Sequence, residues 1–384
     1  MSGLEIICAD GRGARRQFLE LPYRLYRDDP NWVPPLRSRQ RRLFAGRGAF
    51  LEHADMALLL ARRGGRPVAR VAAIHNRAHN DRHGDRVGFF GFFECARDDA
   101  GAAAAVLGAA ETWLAARGLD TLRGPVNPSM NAECGLLVDG FDSPPMALMP
   151  YNPPQYAALL ESAGLAKCKD LYAYLLLGER LDETTAPRER LARLAAAARK
   201  RHPELSIRCL DMADYQADVL RFLDVFERAR RDNWGHVPLT RAEALQTAAE
   251  LRRVVDPGLI FLAEVAGRPA GASLALPNIS PALAAAGGRL LPFGWLRFAR
   301  QLKRTREMRI FGIAALEPYR HMGITGLLFL ETILAGLARG IRRAEASWVL
   351  EDNLMSNRSI TGGLAPVLYK TYRIYEKAIG GQAT

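Results

Sequence analysis

Two stretches of the chain, one in each half, carry the same local pattern, and this repetition narrows the possible folds more than any other feature. Residues 65–76 read Gly-Arg-Pro-Val-Ala-Arg-Val-Ala-Ala-Ile-His-Asn, and residues 267–278 read Gly-Arg-Pro-Ala-Gly-Ala-Ser-Leu-Ala-Leu-Pro-Asn. Each follows an apolar run, Ala57–Ala61 and Ile260–Val265, and each predicts a hairpin turning at Gly-Arg-Pro. Further on, Leu160–Ala166 leads into Tyr172 and Tyr174, as Thr361–Ala365 leads into Tyr369, Tyr372 and Tyr375. Between these landmarks a strand, an Ala/Leu-rich helix and a second strand recur: Val87–Glu94, Ala100–Arg117 and Thr121–Val126, then Met308–Leu316, Gly323–Gly340 and Ala344–Leu350. The order predicts two copies of an α/β unit (α+β, mixed sheet), over 1–178 and 204–384. A charged, Ala-rich helical linker is expected over 179–203, and a basic amphipathic insertion over 279–309.

A chain of 384 residues can bury two such cores, and 49% hydrophobic with 24% charged residues excludes disordered, collagenous and coiled-coil classes. The most apolar stretch, Gly323–Ile341, is broken by Glu331 and Arg339, so no membrane span is expected. Met1–Asp10 already carries Glu5 and Asp10 and does not read as a secretory leader, which makes the cytoplasm the expected compartment. Cys8, Cys95, Cys134, Cys168 and Cys209 form no Cys-x-x-Cys pair, so neither a disulfide framework nor a zinc knuckle is expected. No paired base accompanies Cys134 or Cys168 that would make either a nucleophile.

The formal charge of +12 is concentrated: seven cations lie between Arg289 and Arg309 against a single acid, Glu307. There Trp295, Phe298 and Leu302 recur at helical spacing beside Arg297, Arg300, Lys303 and Arg304. Two readings fit: a surface helix packing on its own domain, or a membrane-surface contact through Phe293, Trp295, Phe298, Arg297 and Arg300. No helix-turn-helix, zinc-finger, KH or RRM signature accompanies the charge, so nucleic acid is not an expected partner. His75, His79 and His83 stand four residues apart, but in a segment rich in Asn, Asp and Arg that reads as a polar loop, and no metal is expected.

The chemistry is carried by the strand Ile310–Leu316 and the turn after it, Glu317-Pro-Tyr-Arg-His-Met-Gly-Ile-Thr-Gly326, which opens a helix. Glycines there let successive backbone N–H groups face an anion, and the helix N-terminus adds a favourable dipole. With Trp348–Asn353 at the next strand end, this resembles the acyl-CoA loop of the GNAT N-acyltransferases, whose pattern is Arg/Gln-x-x-Gly-x-Gly/Ala. Arg320 and Gly323 match it; Thr325 departs at the last position, with Gly326 next. In the first copy the same place reads Cys95-Ala-Arg-Asp-Asp-Ala-Gly101, where two acids would repel a pyrophosphate, so this half is not expected to bind CoA. Longer stretches, Pro22–Leu36, Gly88–Glu94, Gly124–Asn131 and Tyr369–Glu376, resemble a bacterial double-GNAT family that includes the GNAT-type ceramide synthases, over Pro22 to Ile379.

The resemblance implies transfer of a long-chain fatty acyl group from acyl-CoA, or from an acyl carrier protein, to the amine of a sphingoid long-chain base, at or near the inner face of the cytoplasmic membrane and without a metal. Acetyl transfer to a small polar amine, and a non-catalytic acyl-CoA or lipid-binding role, are the alternatives. It also implies a donor site made of Ile313, Ala314, Ala315 and Leu316 on the strand, Arg320, His321, Met322, Gly323, Ile324, Thr325 and Gly326 in the loop, and Asn353 with Ser356 beyond the next strand. Glu351 is the expected base. The proton-donating tyrosine of the family falls here on Ile360 and Thr361, which leaves Tyr372 and Tyr369 as the candidate acids. Asn127, Asn131, Glu133, Tyr151 and Asn152, which lie after strand ends, and Trp234 with His236 are the candidate acceptor residues.

Overall fold

The computed structural model describes residues 3–97, 99–179, 189, 192–193, 196–197, 199–361 and 366–380, so most of the expected linker over 179–203 lies outside the described residues. The chain forms two compact units: unit 1 is Met1–Leu171 with Ala282–Phe298 and Lys370–Thr384, and unit 2 is Tyr172–Pro281 with Ala299–Tyr369. This division differs from the sequence expectation, because most of the basic insertion and the last strand's second half pack with unit 1. At Gly288 a Cβ would stand 2.8 Å from the Pro35 carbonyl oxygen and 2.9 Å from the Tyr23 ring, and Arg37 donates from its backbone N–H to the Gly288 carbonyl at 3.0 Å. Only a glycine allows that approach.

In chain order unit 1 contains β1 (Leu4–Cys8), α1 (Arg12–Leu25), α2 (Arg37–Phe44), β2 (Ala54–Arg63), β3 (Arg66–Asn76), α3 (Arg77–His83), β4 (Val87–Cys95), α4 (Ala100–Ala115), β5 (Thr121–Gly124), β6 (Val126–Asn127), β7 (Glu133–Cys134), β8 (Leu136–Asp139) and α5 (Tyr156–Ser162); β9 (Ala166–Leu177) runs on into unit 2. Unit 2 continues with β10 (Leu205–Cys209), α6 (Tyr215–Ala229), α7 (Arg241–Leu251), β11 (Ile260–Val265), β12 (Arg268–Pro277), α8 (Ser280–Ala286), α9 (Gly294–Leu302), β13 (Glu307–Ala315), α10 (Ile324–Ala338), β14 (Arg343–Leu350), α11 (Leu354–Thr361) and β15 (Val367–Ala378), with α8, α9 and β15 crossing between the units.

The repeat holds at the level of register. β1–β2–β3–β4 and β10–β11–β12–β13 are both antiparallel ladders. Both hairpins turn through two residues of positive φ, Gly64-Gly65 and Ala266-Gly267, one residue earlier than the expected Gly-Arg-Pro, whose arginines already begin β3 and β12. Such turns match the right-handed strand twist. The prolines, Pro67 and Pro269, lack an N–H for the ladder and sit where each hairpin carries a bulge, after Ala61 in one and after Ala263 in the other.

Each unit then makes one crossover. β4 runs through α4 to the parallel β5, and β13 through α10 to the parallel β14, the connection a parallel pair requires. α4 buries Ala102, Ala103, Val106, Leu107, Ala110 and Leu114 against Ala61, Ala69 and Val71, and α10 buries Ile324 and Leu328 against Phe261, Ala263 and Ala270. Each large apolar side chain so placed contributes about 1.5–3 kcal/mol. One local expectation is corrected: the Asn76–Arg86 segment is not all loop, because Asn76 accepts from the His79 N–H at 3.3 Å and caps the short helix α3. Among the described residues no helix is long and apolar enough to cross a membrane, and no His/Cys/Asp/Glu cluster has metal-binding geometry.

Candidate active site

After β13 the chain makes one tight helical turn, Glu317–Met322, and enters α10 through Gly323 at φ 72°, ψ 17°. That left-handed conformation favours glycine. Met322 and Ile324 are buried and pin the turn to the core, while Gly323, Thr325 and Gly326 are exposed. The helix has no side-chain N-cap, its first intrahelical bond is Leu327 N–H to Gly323 O at 3.1 Å, and a Cβ on Gly326 would meet nothing within 4 Å. Thr325 and Gly326 of the first turn are exposed and, as in any helix start, their N–H groups have no intrahelical partner, the arrangement that takes a phosphate. Exposed Arg320 and His321 flank it, and the His321 ring stands 6.3 Å from that of His202, at the end of the basic run Arg199–His202.

The strand leading to this loop is only half paired on its β14 side. β13 and β14 pair from Glu307/Arg343 to Ile310/Ala346, and beyond that point the two strands carry no ladder. A register shift between Leu274 and Ala275 of β12 leaves Phe311 as an extra residue of β13 where the strands part. Ile313, Ala314, Ala315 and Leu316 come next, paired with β12 but not with β14, and run into the loop, while Asn353 and Ser356 lie apart on the turn into α11. At the base of this stretch of β13 lies a buried polar group that the sequence reading missed. Glu345 is fully buried, accepts from Ser347 Oγ and Tyr369 Oη, and stands 3.7 Å from Arg309. Arg309 donates to Ser347 Oγ at 2.8 Å and stacks on Phe311 with its guanidinium carbon 4.1 Å from the ring centroid. A signal for the pair does exist in the sequence: Arg309 and Glu345 interrupt otherwise apolar strand runs.

The other expected residues are spread over both units. Glu351 is half-buried in the turn after β14, where its carbonyl accepts from Asn357 Nδ2 at 3.3 Å. Asn353 Oδ1 accepts from the Ser356 N–H at 3.1 Å and so caps the start of α11. Tyr369 belongs to unit 2, whereas Tyr372 belongs to unit 1, is fully buried, and stands where a Cβ on Gly135 would meet its own Cβ at 2.9 Å. Trp234 is half-buried, and His236 Nε2 lies 3.1 Å from Glu227 on α6.

In unit 1, Asn127 Oδ1 accepts from the Phe92 N–H at 2.6 Å, and Asn152 makes a closed set of bonds with Leu137 and Pro153. Tyr151 donates to Asp29 at 3.0 Å, and burial together with this contact raises its pKa; Glu133 pairs opposite Asn127 on β7, and Asn131 is exposed. In the 289–304 segment Phe293 is 70% and Trp295 51% exposed, joined by Leu291 at 80% and Leu296 at 50%, while Phe298 is half-buried; Arg297 and Arg300 are exposed.

No family model matches the chain. It is 37% identical over 372 residues to a bacterial ceramide synthase of Caulobacter vibrioides, covering 95% of this chain and 94% of that protein. It is 34% identical over 371 residues to protein YghO of Escherichia coli, covering 95% and 93%. Among solved structures, the tandem GNAT protein from the clavulanic acid biosynthesis pathway superimposes with a TM-score of 0.58 at 13% identity, over 99% of this chain and all of that one. A GCN5-related N-acetyltransferase from Sphaerobacter thermophilus gives 0.53 at 15% identity, over 98% and 96%. The solved structures share the tandem GNAT fold.

Proposed function

The chain belongs to the family of the Caulobacter ceramide synthase and YghO and has the tandem GNAT fold of an N-acyltransferase, and from that premise we propose that it moves a long-chain acyl group from acyl-CoA to the amine of a sphingoid long-chain base. The observation that carries the donor assignment is the uncapped first turn of α10, with Gly323, Thr325 and Gly326 open to solvent. The donor's pyrophosphate sits on the N–H groups of Thr325 and Gly326, and its pantetheine arm runs along the edge of Ile313–Leu316 that faces away from β12, where β13 has left β14. A neutral amine then attacks the thioester carbon. Its lone pair becomes the C–N bond, the C–S bond breaks, and the proton lost by nitrogen is the one gained by the leaving thiolate. Glu351 serves as base, and of the two tyrosines Tyr369, which shares unit 2 with the loop and hydrogen-bonds Glu345, is assigned the proton relay.

The lipid part of this reading rests on the ceramide synthase relative and on the exposed residues Leu291, Phe293, Trp295 and Leu296, which share unit 1 with exposed Arg289 and Arg297. Exposed apolar side chains among exposed cations suit the inner face of a membrane holding anionic lipid, where both long-chain substrates reside. Thiol release by the purified protein, measured over acyl-CoA chain lengths with a sphingoid base and separately with a polyamine, tests it. Turnover confined to long chains with the sphingoid base is expected. Turnover with acetyl-CoA and the polyamine would overturn the lipid assignment in favour of small-amine acetylation.

A further inference from the structure

Arg230 caps the C-terminus of α6, its N–H bonding the Phe226 carbonyl at 3.0 Å, and its side chain turns back onto β13. Its guanidinium carbon lies 4.6 Å from the Phe226 ring centroid, and Nη2 donates to the Phe311 carbonyl at 3.2 Å. A Cβ on Gly312 would meet Nη2 at 1.9 Å. The absent side chain of Gly312 is therefore the space that the guanidinium fills, on the stretch of β13 that has just left β14. The charged groups nearest in effect are Glu227 and Arg309. Glu227 is already engaged by His236 and by the Leu239 N–H at 3.2 Å, and Arg309 repels. Desolvation and that repulsion lower the Arg230 pKa to about 10, so it remains a cation at neutral pH.

Among the described residues no carboxylate lies in ion-pair range of Arg230, and its one hydrogen bond leaves further donors unspent. Arg230 is half-buried, and a cation held against a strand with no counter-charge in range keeps donors for a partner that arrives from outside. Building on the acyl-transfer reading, we infer that Arg230 donates to the thioester carbonyl oxygen and stabilises the negative charge that develops there as nitrogen adds. The guanidinium is fixed before the reaction, the condition under which such a donor lowers a barrier. Its position beside Gly312, next to Ile313, places it against the segment assigned to the acyl end of the donor.

The test is steady-state kinetics of wild type, Arg230→Lys and Arg230→Met with long-chain acyl-CoA and sphingoid base, alongside direct acyl-CoA binding and thermal melting. The inference expects kcat to fall on the order of 100-fold or more in Arg230→Met. Arg230→Lys recovers part of that, donor affinity changes less than about threefold, and the melting temperature is unchanged or higher because an unpaired cation has gone. A rise in acceptor KM at intact kcat would overturn it in favour of acceptor recognition. A fall in kcat matched by loss of folded protein would overturn it in favour of a structural role. If the wild-type protein itself releases no thiol, the acyl-transfer reading fails, an outcome separate from an active wild type with an equally active Arg230→Met.

Discussion

The first long helix of unit 1 ends at Tyr26, whose hydroxyl donates to Glu94 on β4 at 2.7 Å; the corresponding helix of unit 2 ends at Arg230, whose guanidinium hydrogen-bonds the backbone of β13 and finds no carboxylate partner among the described residues. The Glu94 carboxylate is fully engaged, although the buried Nε of Arg70 has no hydrogen-bond partner among the described residues. Tyr156 donates to that carboxylate at 3.0 Å, Arg70 lies 3.5 Å away, and burial pushes the Glu94 carboxyl pKa up while Arg70 and the two hydroxyls pull against it. The strand positions that carry Arg70 and Glu94 in unit 1 carry Ala272 and Ala314 in unit 2, both inside an apolar cluster. The crossover helices repeat the contrast. In unit 1, Asp99 accepts from the Ala102 N–H at 3.0 Å and also pairs with Arg63, so a carboxylate already occupies the α4 N-terminus; in unit 2 the α10 N-terminus has no side-chain cap. Even the gap after the parallel pairing is filled in unit 1, where Asn127 takes the Phe92 N–H and a Cβ on Gly91 would strike the Val126 oxygen at 1.7 Å. One skeleton thus gives a unit whose crossover-helix N-terminus and strand gap are filled by its own polar side chains, and a unit whose corresponding helix N-terminus carries no side-chain cap.

The contrast is broken most severely from the unit 1 side. Glu94→Leu leaves Arg70 buried without its partner and is expected to cost about 3–5 kcal/mol, whereas the Arg70→Met/Glu94→Leu double variant should lose clearly less. Urea denaturation of the three proteins decides it, and equal losses in single and double variants would show that Tyr26 and Tyr156, rather than the ion pair, hold the network.

Acid should separate the units next. His79 is buried, lies 3.3 Å from Asp85, and burial lowers its pKa to about 4. The folded state therefore disfavours its protonation. Unit 1 keeps its full stability above the ordinary imidazole range and loses at most about 3 kcal/mol as pH falls from 6.5 to about 4. In unit 2, Asp218 is held by Arg208 and Arg221 and accepts the Asp211 N–H at 2.8 Å, which lowers its pKa to about 2 against the cost of burial. Its contribution survives to pH 3.8 and is lost only between there and about 2. Hydrogen exchange at pH 4.5 should accordingly weaken β2–β4 before α6 and β10, and His79→Gln should remove the unit 1 slope.

The smallest effect lies in the hairpins. Gly267→Ala forces a left-handed turn on an L residue and should cost about 1 kcal/mol, while Ala266→Gly relieves φ 48° and should be neutral or slightly stabilising. Thermal melts would show it, and identical shifts from the two changes would mean that Gly267 does not hold its positive φ in solution.

Hairpins, crossovers and the glycine turn into α10 were legible because each depends on local chemistry: two-residue turns, a parallel pair that needs a helix, a glycine before an apolar helix. The charged residues Arg309 and Glu345 stand out as single charges in apolar strands, but the pairing of Arg309 with Glu345, like that of Arg70 with Glu94, is set by strand register and was not legible. Nor was the home of the basic insertion, which is fixed by contacts such as Arg37 to Gly287, 250 residues apart. Arg230 reads as one more surface cation in a basic stretch, and only the bare Cα of Gly312 reveals where it goes.

The most direct measurement is isothermal titration of long-chain acyl-CoA into the wild-type protein and into Gly326→Asp. Gly326 has open space around it, and a carboxylate in the first turn of α10 favours the helix while repelling a pyrophosphate. One site per chain in the wild type is expected, with affinity reduced at least about 100-fold in a variant that melts no lower. Two sites per chain, or undiminished binding by Gly326→Asp, would contradict the assignment of the donor to unit 2 alone.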